Sequence, residues 1–270
     1  MTSSTPDALW ASRSVRLLRP SAVTCRGLRR RERRSWVLDG VDLDLDVGTR
    51  TLLVSEPEGS ASALLRILAG LSRPSGGTFR LAGARRADDS AAGWGRRVAY
   101  VGPAVAPFPW LSPGEILELT GRLAGIPPAE RRRRIPELVT WHRLEAALHR
   151  PLRRAGAAVA SRTALAAALL TEPEVLLLDD PLGGELPVER SRLLRIPGER
   201  RTVVLASHLP GQEAELVSDV VLLRGGRVAL HAPIAALAER GLELSMRGIS
   251  ALAEAGAPER DRRPALAVGG

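Results

Sequence analysis

The stretch TLLVSEPEGSASALLRILAGLSRPSGGTFRLAG, Thr51 to Gly83, decides the fold. It opens on an apolar strand (Leu52, Leu53, Val54), crosses a short polar loop and enters an apolar helix (Leu64, Leu65, Ile67, Leu68, Ala69). Strand, tight loop and helix form the layout of a phosphate-binding loop. The pattern G-x-x-x-x-G-K-[ST] asks for Gly at both ends, a Lys on the β/γ-phosphates and a hydroxyl on Mg²⁺. Residues 55 to 62 answer it with Ser55, Glu56, Pro57, Glu58, Gly59, Ser60, Ala61 and Ser62. Only the hydroxyl, Ser62, survives. The frame is that of a nucleotide-binding fold with its catalytic chemistry removed.

On the amino side, Val41, Leu43, Leu45 and Val47 alternate with Asp42, Asp44 and Asp46, so Val37 to Val47 is a half-buried strand of period two. On the carboxyl side, Pro74 to Gly77 is turn chemistry ahead of a short strand, Thr78 to Leu81, and Val98 to Val101 is another. Pro103, Pro107, Pro109 and Pro113 exclude a helix interior there. Glu115 to Leu170 reads as helical, with breaks at Gly125 to Pro128 and at Pro136. Val175 to Leu178 is an unbroken apolar run closed by Asp179 and Asp180, as in a strand covered on both faces. Thr202 to Ala206 and Val220 to Leu223 repeat that pattern, and Gly225-Gly226 turns the chain into Arg227 to Leu230.

The expected fold class is α/β, P-loop NTPase-like. It has a mostly parallel core sheet, an antiparallel β subdomain near residues 22 to 100 and a helical subdomain near 104 to 170. Val54 and Leu178 are expected to end neighbouring strands, with Ser62 close to Asp179. Residues 1 to 20 read as a loose extension and 21 to 230 as the folded unit. Residues 231 to 270 read as a C-terminal extension. It holds a short amphipathic helix (Leu237, Leu242, Leu244) and a disordered tail from Ala255.

Composition narrows the function classes. At 270 residues and 44% hydrophobic the chain can bury a core. No stretch reaches the ~18 apolar residues of a membrane span, and the amino end lacks a secretion signal, so a cytoplasmic location is expected. Cys25 is alone, without an internal disulfide partner or metal-ligand spacing. The net charge of +9 comes from Arg, since the chain has no Lys, and no other alignment can supply the missing loop cation. Arginines cluster at 26 to 34, at 131 to 134 and at 150 to 154. With two Phe and one Tyr there is no stacking platform for nucleic acid. These runs read as solvated faces, and nucleic acid is not an expected partner.

Read in order, LLRILAGLSRPSGG, FPWLSPGE, LLTEPEVLLLDDP, VVLASH followed by EAE, and VVLLRGGRV resemble the nucleotide-binding subunit of an ATP-binding cassette (ABC) transporter across residues 22 to 230. The resemblance implies ATP and Mg²⁺ as ligands, with Glu58, Gly59, Ser60, Ala61, Ser62 and Ala63 at the phosphates. It implies Ser62 and Asp179 at the metal, Asp180 as the catalytic base and His208 as the sensor of the γ-phosphate. It also implies a permease partner, pairing with a second cassette as a homodimer or heterodimer, and a place at the inner face of the membrane.

The departures from that pattern are specific. Ala61 replaces the Lys, and one charge-assisted contact is worth roughly 1.5–3 kcal/mol. Glu56 and Glu58 add repulsion toward a triphosphate, roughly 4 kcal/mol for unit charges at about 4 Å and an effective dielectric near 20. The loop is thus either a weak phosphate site or a turn of the same shape that binds nothing. Asp180 stands where the family has Glu, one methylene or about 1.5 Å shorter. The two acids either serve a metal and a water or merely cap the following turn. His208 matches the family position, while a lone His at a strand end is otherwise a solvated residue.

Gly102-Pro103 replaces the loop Gln, and Ala155 to Val159 replaces LSGGQ. The adenine-stacking aromatic falls among Arg31, Glu32 and Arg33, and Trp36 reads as core. The segment Leu182 to Leu186 lacks the family's Asp. Three functions follow: a catalytically impaired subunit acting structurally or regulatorily with a permease, a weakly active ATPase powering export, or a soluble scaffold binding nucleic acid or anionic lipid. Phe108, Pro109, Trp110 and Leu111 are the expected rim of the permease groove.

Overall fold

Ten strands divide between two sheets in the computed structural model, which describes residues 20–56, 59–86, 90–103, 108–181, 187–196, 198, 200–207, 210–213 and 215–256. The strands are β1 (Ser21–Glu32), β2 (Ser35–Asp46), β3 (Arg50–Glu56), β4 (Gly76–Leu81), β5 (Ala84–Arg85), β6 (Val98–Val101), β7 (Val175–Asp179), β8 (Thr202–Ala206), β9 (Asp219–Arg224) and β10 (Arg227–Pro233). The helices are α1 (Ser60–Leu68), α2 (Ala91–Arg97), α3 (Pro113–Leu123), α4 (Pro128–Trp141), α5 (Leu152–Ala155), α6 (Ala157–Leu170), α7 (Pro187–Leu194), α8 (Ala235–Ala238) and α9 (Met246–Glu254).

The smaller sheet is antiparallel, in the order β2-β1-β4-β5. Gly77 is required there. A Cβ would sit 2.3 Å from the Gly27 carbonyl oxygen, and its φ of +79° is open to Gly without strain. The larger sheet runs β10-β9-β3-β8-β7-β6, parallel except for the β9–β10 hairpin. The fold is the expected α/β class, but one detail differs. β8 lies between β3 and β7, so Val54 and Leu178 do not end neighbouring strands. Ser62 still reaches Asp179, with its hydroxyl 2.7 Å from the carboxylate.

Strand alternation sorts the core into two layers. Leu53, Val204, Leu177 and Val221 face α1 and the antiparallel sheet, and Leu52, Leu205, Leu176 and Leu222 face the other helices. That second layer includes Leu244, Ile249 and Leu252. The chain beyond residue 230 therefore continues β10 to Pro233 and lays α9 against the main sheet.

The helical unit closes on Leu117, Val139, Leu144 and Ala166. α3 starts on a capping box in which Ser112 and Glu115 satisfy each other's backbone N–H groups, with Pro113 in the first turn. Pro136 does not break the chain as expected but lies inside α4. Proline removes one N–H donor and strains a helix by ~3 kcal/mol, and the packing of Val139 and Leu138 on either core holds the helix across it. Trp36 is a second correction. It is 47% exposed, not core, with the Arg31 guanidinium 5.8 Å from its ring centroid. Cys25 is buried, and burial followed by the Asp44 charge pushes its thiol up to about 12, an inert packing residue. The expectations for residues 1 to 19 and 257 to 270 lie outside the described residues.

Candidate functional site

A small cavity of about 70 Å³ opens where β3, β7 and β8 end, bounded by Gly59, Ala61, Ser62, Asp179, Ser207 and Met246. Five parallel strands deliver their carboxyl ends to this edge, the place where open α/β sheets bind ligands.

Asp179 anchors one side. It is 3% exposed at the end of β7, and protein hydroxyls engage both of its oxygens. Ser62 Oγ donates to Oδ1 at 2.7 Å and the Tyr100 phenol donates to Oδ2 at 2.8 Å. Burial, and then the bond to Asp179, pushes the phenol well above its ordinary acidity range. The sequence reading had paired Ser62 with Asp179 and missed Tyr100. Its signal lay in the register, since Tyr100 on β6 pairs with Leu177, two positions before the acid.

Asp180 turns the chain with φ at +43°, a conformation that Asp tolerates better than most residues. Its carboxylate reaches Arg190 on α7 at 3.4 Å. Arg190 is 4% exposed and Glu213 is wholly buried. The guanidinium forks onto Glu213 Oε1 at 2.9 and 2.8 Å and onto the Pro181 carbonyl at 2.7 Å. Ser207 Oγ donates to the same Glu213 oxygen at 3.1 Å. This second network also escaped the sequence reading. The EAE after His208 held Glu213, but nothing local pointed to Arg190 as its partner. His208 lies outside the described residues, as do Glu58 and the segment from Leu182 to Leu186.

The phosphate-loop side is built differently. Gly59 has φ +102°, open to Gly, and α1 follows. Ser60 is 3% exposed, and its hydroxyl donates to the Val37 carbonyl at 2.8 Å, so it serves β2. Ala61 bounds the cavity and its N–H donates to Ser55 Oγ at 3.4 Å, while the Ala63 N–H donates to the Gly59 carbonyl at 3.0 Å. Glu56 requires a correction. Its carboxylate is not a free repulsive charge, because β3 pairs with β9 and brings Arg224 beside it. Arg224 Nε binds one oxygen at 3.0 Å, and Ser250 Oγ on α9 donates to the other at 3.0 Å.

Oxygen donors such as Ser62 and Asp179 suit a hard cation like Mg²⁺. On the loop side, position 61 offers no charge to the cavity. Gly156 (φ +94°) leads into α6 without a side-chain cap.

Phe108 and Trp110 are 42% and 58% exposed, their rings edge-to-face at 5.9 Å between centroids. Among the described residues, no helix is long and apolar enough to cross a membrane.

The family profile described as ABC transporter matches residues 38–183. The nickel import ATP-binding protein NikO of Rhodobacter capsulatus is 34% identical over 75% of this chain and 85% of its own length. The Nod factor export ATP-binding protein I of Ralstonia nicotianae is 28% identical over 74% of this chain. The chain spans 64% of that relative's length. A solved structure titled as the ATP binding subunit of an ABC transporter superposes with a TM-score of 0.76 at 23% identity, over 87% of this chain and all of that one.

Proposed function

The chain belongs to the ABC transporter family, and from that premise we propose that it is a catalytically impaired cassette acting structurally or regulatorily with a membrane permease at the inner face of the membrane. One observation carries the reading: an uncharged residue, Ala61, bounds the cavity where the loop cation would meet phosphate. The rest of the cavity supports it. Ser60 is committed to Val37, and the Tyr100 phenol engages one Asp179 oxygen. The exposed Phe108–Trp110 pair supplies the permease-facing surface.

In a paired cassette, each nucleotide needs one chain's loop and the other's signature. This chain weakens both: its loop at one composite site, and the helix start after Gly156 at the other. A competent partner therefore does not rescue either site fully. Asp180 would act on a water only through a carboxylate that Arg190 also holds.

Phosphate release with Mg²⁺-ATP is expected to stay at background, with Asp179→Ala as the contamination control. Turnover near ~1 s⁻¹ that vanishes in that control would overturn the proposal. ATP affinity is expected to be millimolar or weaker. Glu58→Gly with Ser60→Gly and Ala61→Lys should tighten it at least ~100-fold by calorimetry. Micromolar binding by the natural chain favours the second reading, a weak ATPase, for which the retained Ser62–Asp179 bond speaks.

A further inference from the structure

We propose that Tyr100 is a selectivity residue that withholds Asp179 from divalent cations. This deepens the reading of Ser62 and Asp179 as the cation-facing pair and rests on it. A serine that donates its proton to a carboxylate keeps its oxygen lone pairs for a metal, so the 2.7 Å Ser62–Asp179 bond leaves a hard cation possible. The 2.8 Å bond from Tyr100 acts differently. It takes up one acceptor site of the other carboxylate oxygen, so a cation or a cation-held water must compete with the phenol there. Asp179 is 3% exposed, so the phenol also spares it the cost of an unsatisfied buried acceptor.

The backbone is arranged to permit this pose. A Cβ on Gly102 would stand 2.9 Å from Tyr100 Cε1 and 3.0 Å from its hydroxyl oxygen. Gly102 is not in the left-handed region. What its missing side chain provides is therefore room for the ring, not backbone freedom. Gly102 thus couples two observations that sequence alone keeps apart. The loop that has lost its Gln is the same loop that lets the tyrosine lean onto the acid.

Direct Mn²⁺ binding to the full chain, followed by electron paramagnetic resonance, tests this without any assay of activity. Tyr100→Phe is expected to bind Mn²⁺ about 10- to 100-fold tighter than the natural chain, the range for a hydrogen bond to a charged group. Gly102→Ala keeps the hydroxyl but pushes the ring aside, and should give a smaller gain in the same direction. Adding Asp179→Asn to Tyr100→Phe should erase the gain. Equal affinities for the natural chain and both variants would overturn the role of Tyr100 alone. No Mn²⁺ binding by any of them would overturn the cation-facing reading as well.

Tyr100 is the only tyrosine in the chain, so 3-fluorotyrosine places a single fluorine at the site. In the natural chain that signal should move with Mg²⁺ along the metal's own binding curve. A saturable binding curve with a motionless fluorine signal would refute the proposal even if Tyr100→Phe failed to fold.

Discussion

The two sides of the cavity are built in opposite ways. On the acid side, protein groups hold both oxygens of Asp179 and, through Arg190 and Ser207, one oxygen of the buried Glu213. On the loop side, Ser60 and Glu56 have been drawn outward, to β2 and to α9. The difference follows from burial. A carboxylate at the end of a central strand cannot be left without partners, so its neighbours must satisfy it whether or not a ligand binds. A loop cation has no such duty. The methyl group at position 61 belongs to the apolar core and asks for no polar partner.

The largest expected effect tests the acid side. Arg190→Met leaves Glu213 charged and wholly buried, and should destabilise the protein by about 3–5 kcal/mol in urea titration. Adding Glu213→Leu should recover much of that loss, and a double mutant no better than the single would mean that the network matters through shape and not charge.

His142 supplies a calibration remote from the cavity. It is fully buried, its ring nitrogens have no partner among the described residues, and burial lowers its pKa from 6.5 to about 4. The unfolded chain therefore binds the proton more readily. Stability should be whole above pH 6.5 and fall as the pH drops toward 4, by about 3 kcal/mol in all. His142→Phe should flatten that slope in denaturant titrations across the range. If the natural chain shows no slope, His142 is not held neutral.

The loop side should be lighter. Ser250→Ala removes a hydrogen bond to a partly exposed Glu56, and Arg224 remains on it, so the loss should stay below about 1 kcal/mol. A loss as large as that of Arg190→Met would erase the contrast between the two sides. The smallest stability effect belongs to Phe108→Ala with Trp110→Ala. Both side chains are exposed, so the melting temperature should barely move while co-purification with a permease is lost. Retained assembly would locate the docking surface elsewhere.

The parts of this architecture that were legible in the sequence are those carried by local pattern. The apolar runs of β7, β8 and β9 read as buried strands because period and length suffice. Ser62 and Asp179 were paired because each sits at a fixed place in a local motif. Tyr100 was not legible. Its partner depends on the register of β6 against β7, and an inter-strand register leaves no mark in a single chain. Arg190–Glu213 and Glu56–Arg224 were missed for the same reason, since each joins elements far apart in the sequence. Trp36 was misread because alternation assigns a face, whereas β2 begins at a hairpin tip where the ring meets the Arg31 guanidinium and stays 47% exposed.

The strand order also bears on how the chain is made. β3 is the centre of the main sheet and is synthesised early, yet the strands on both its sides, β8 and β9, come near the end. At ordinary translation speeds of about 5–20 residues per second, an apolar strand with two open edges waits on the order of ten seconds for its neighbours. During that interval the antiparallel sheet and the helical unit can close on local contacts, while the central strand remains a template for unwanted pairing. The cassette is thus a fold whose vulnerability is greatest on the ribosome, and whose last strands decide whether its first ones are safely enclosed.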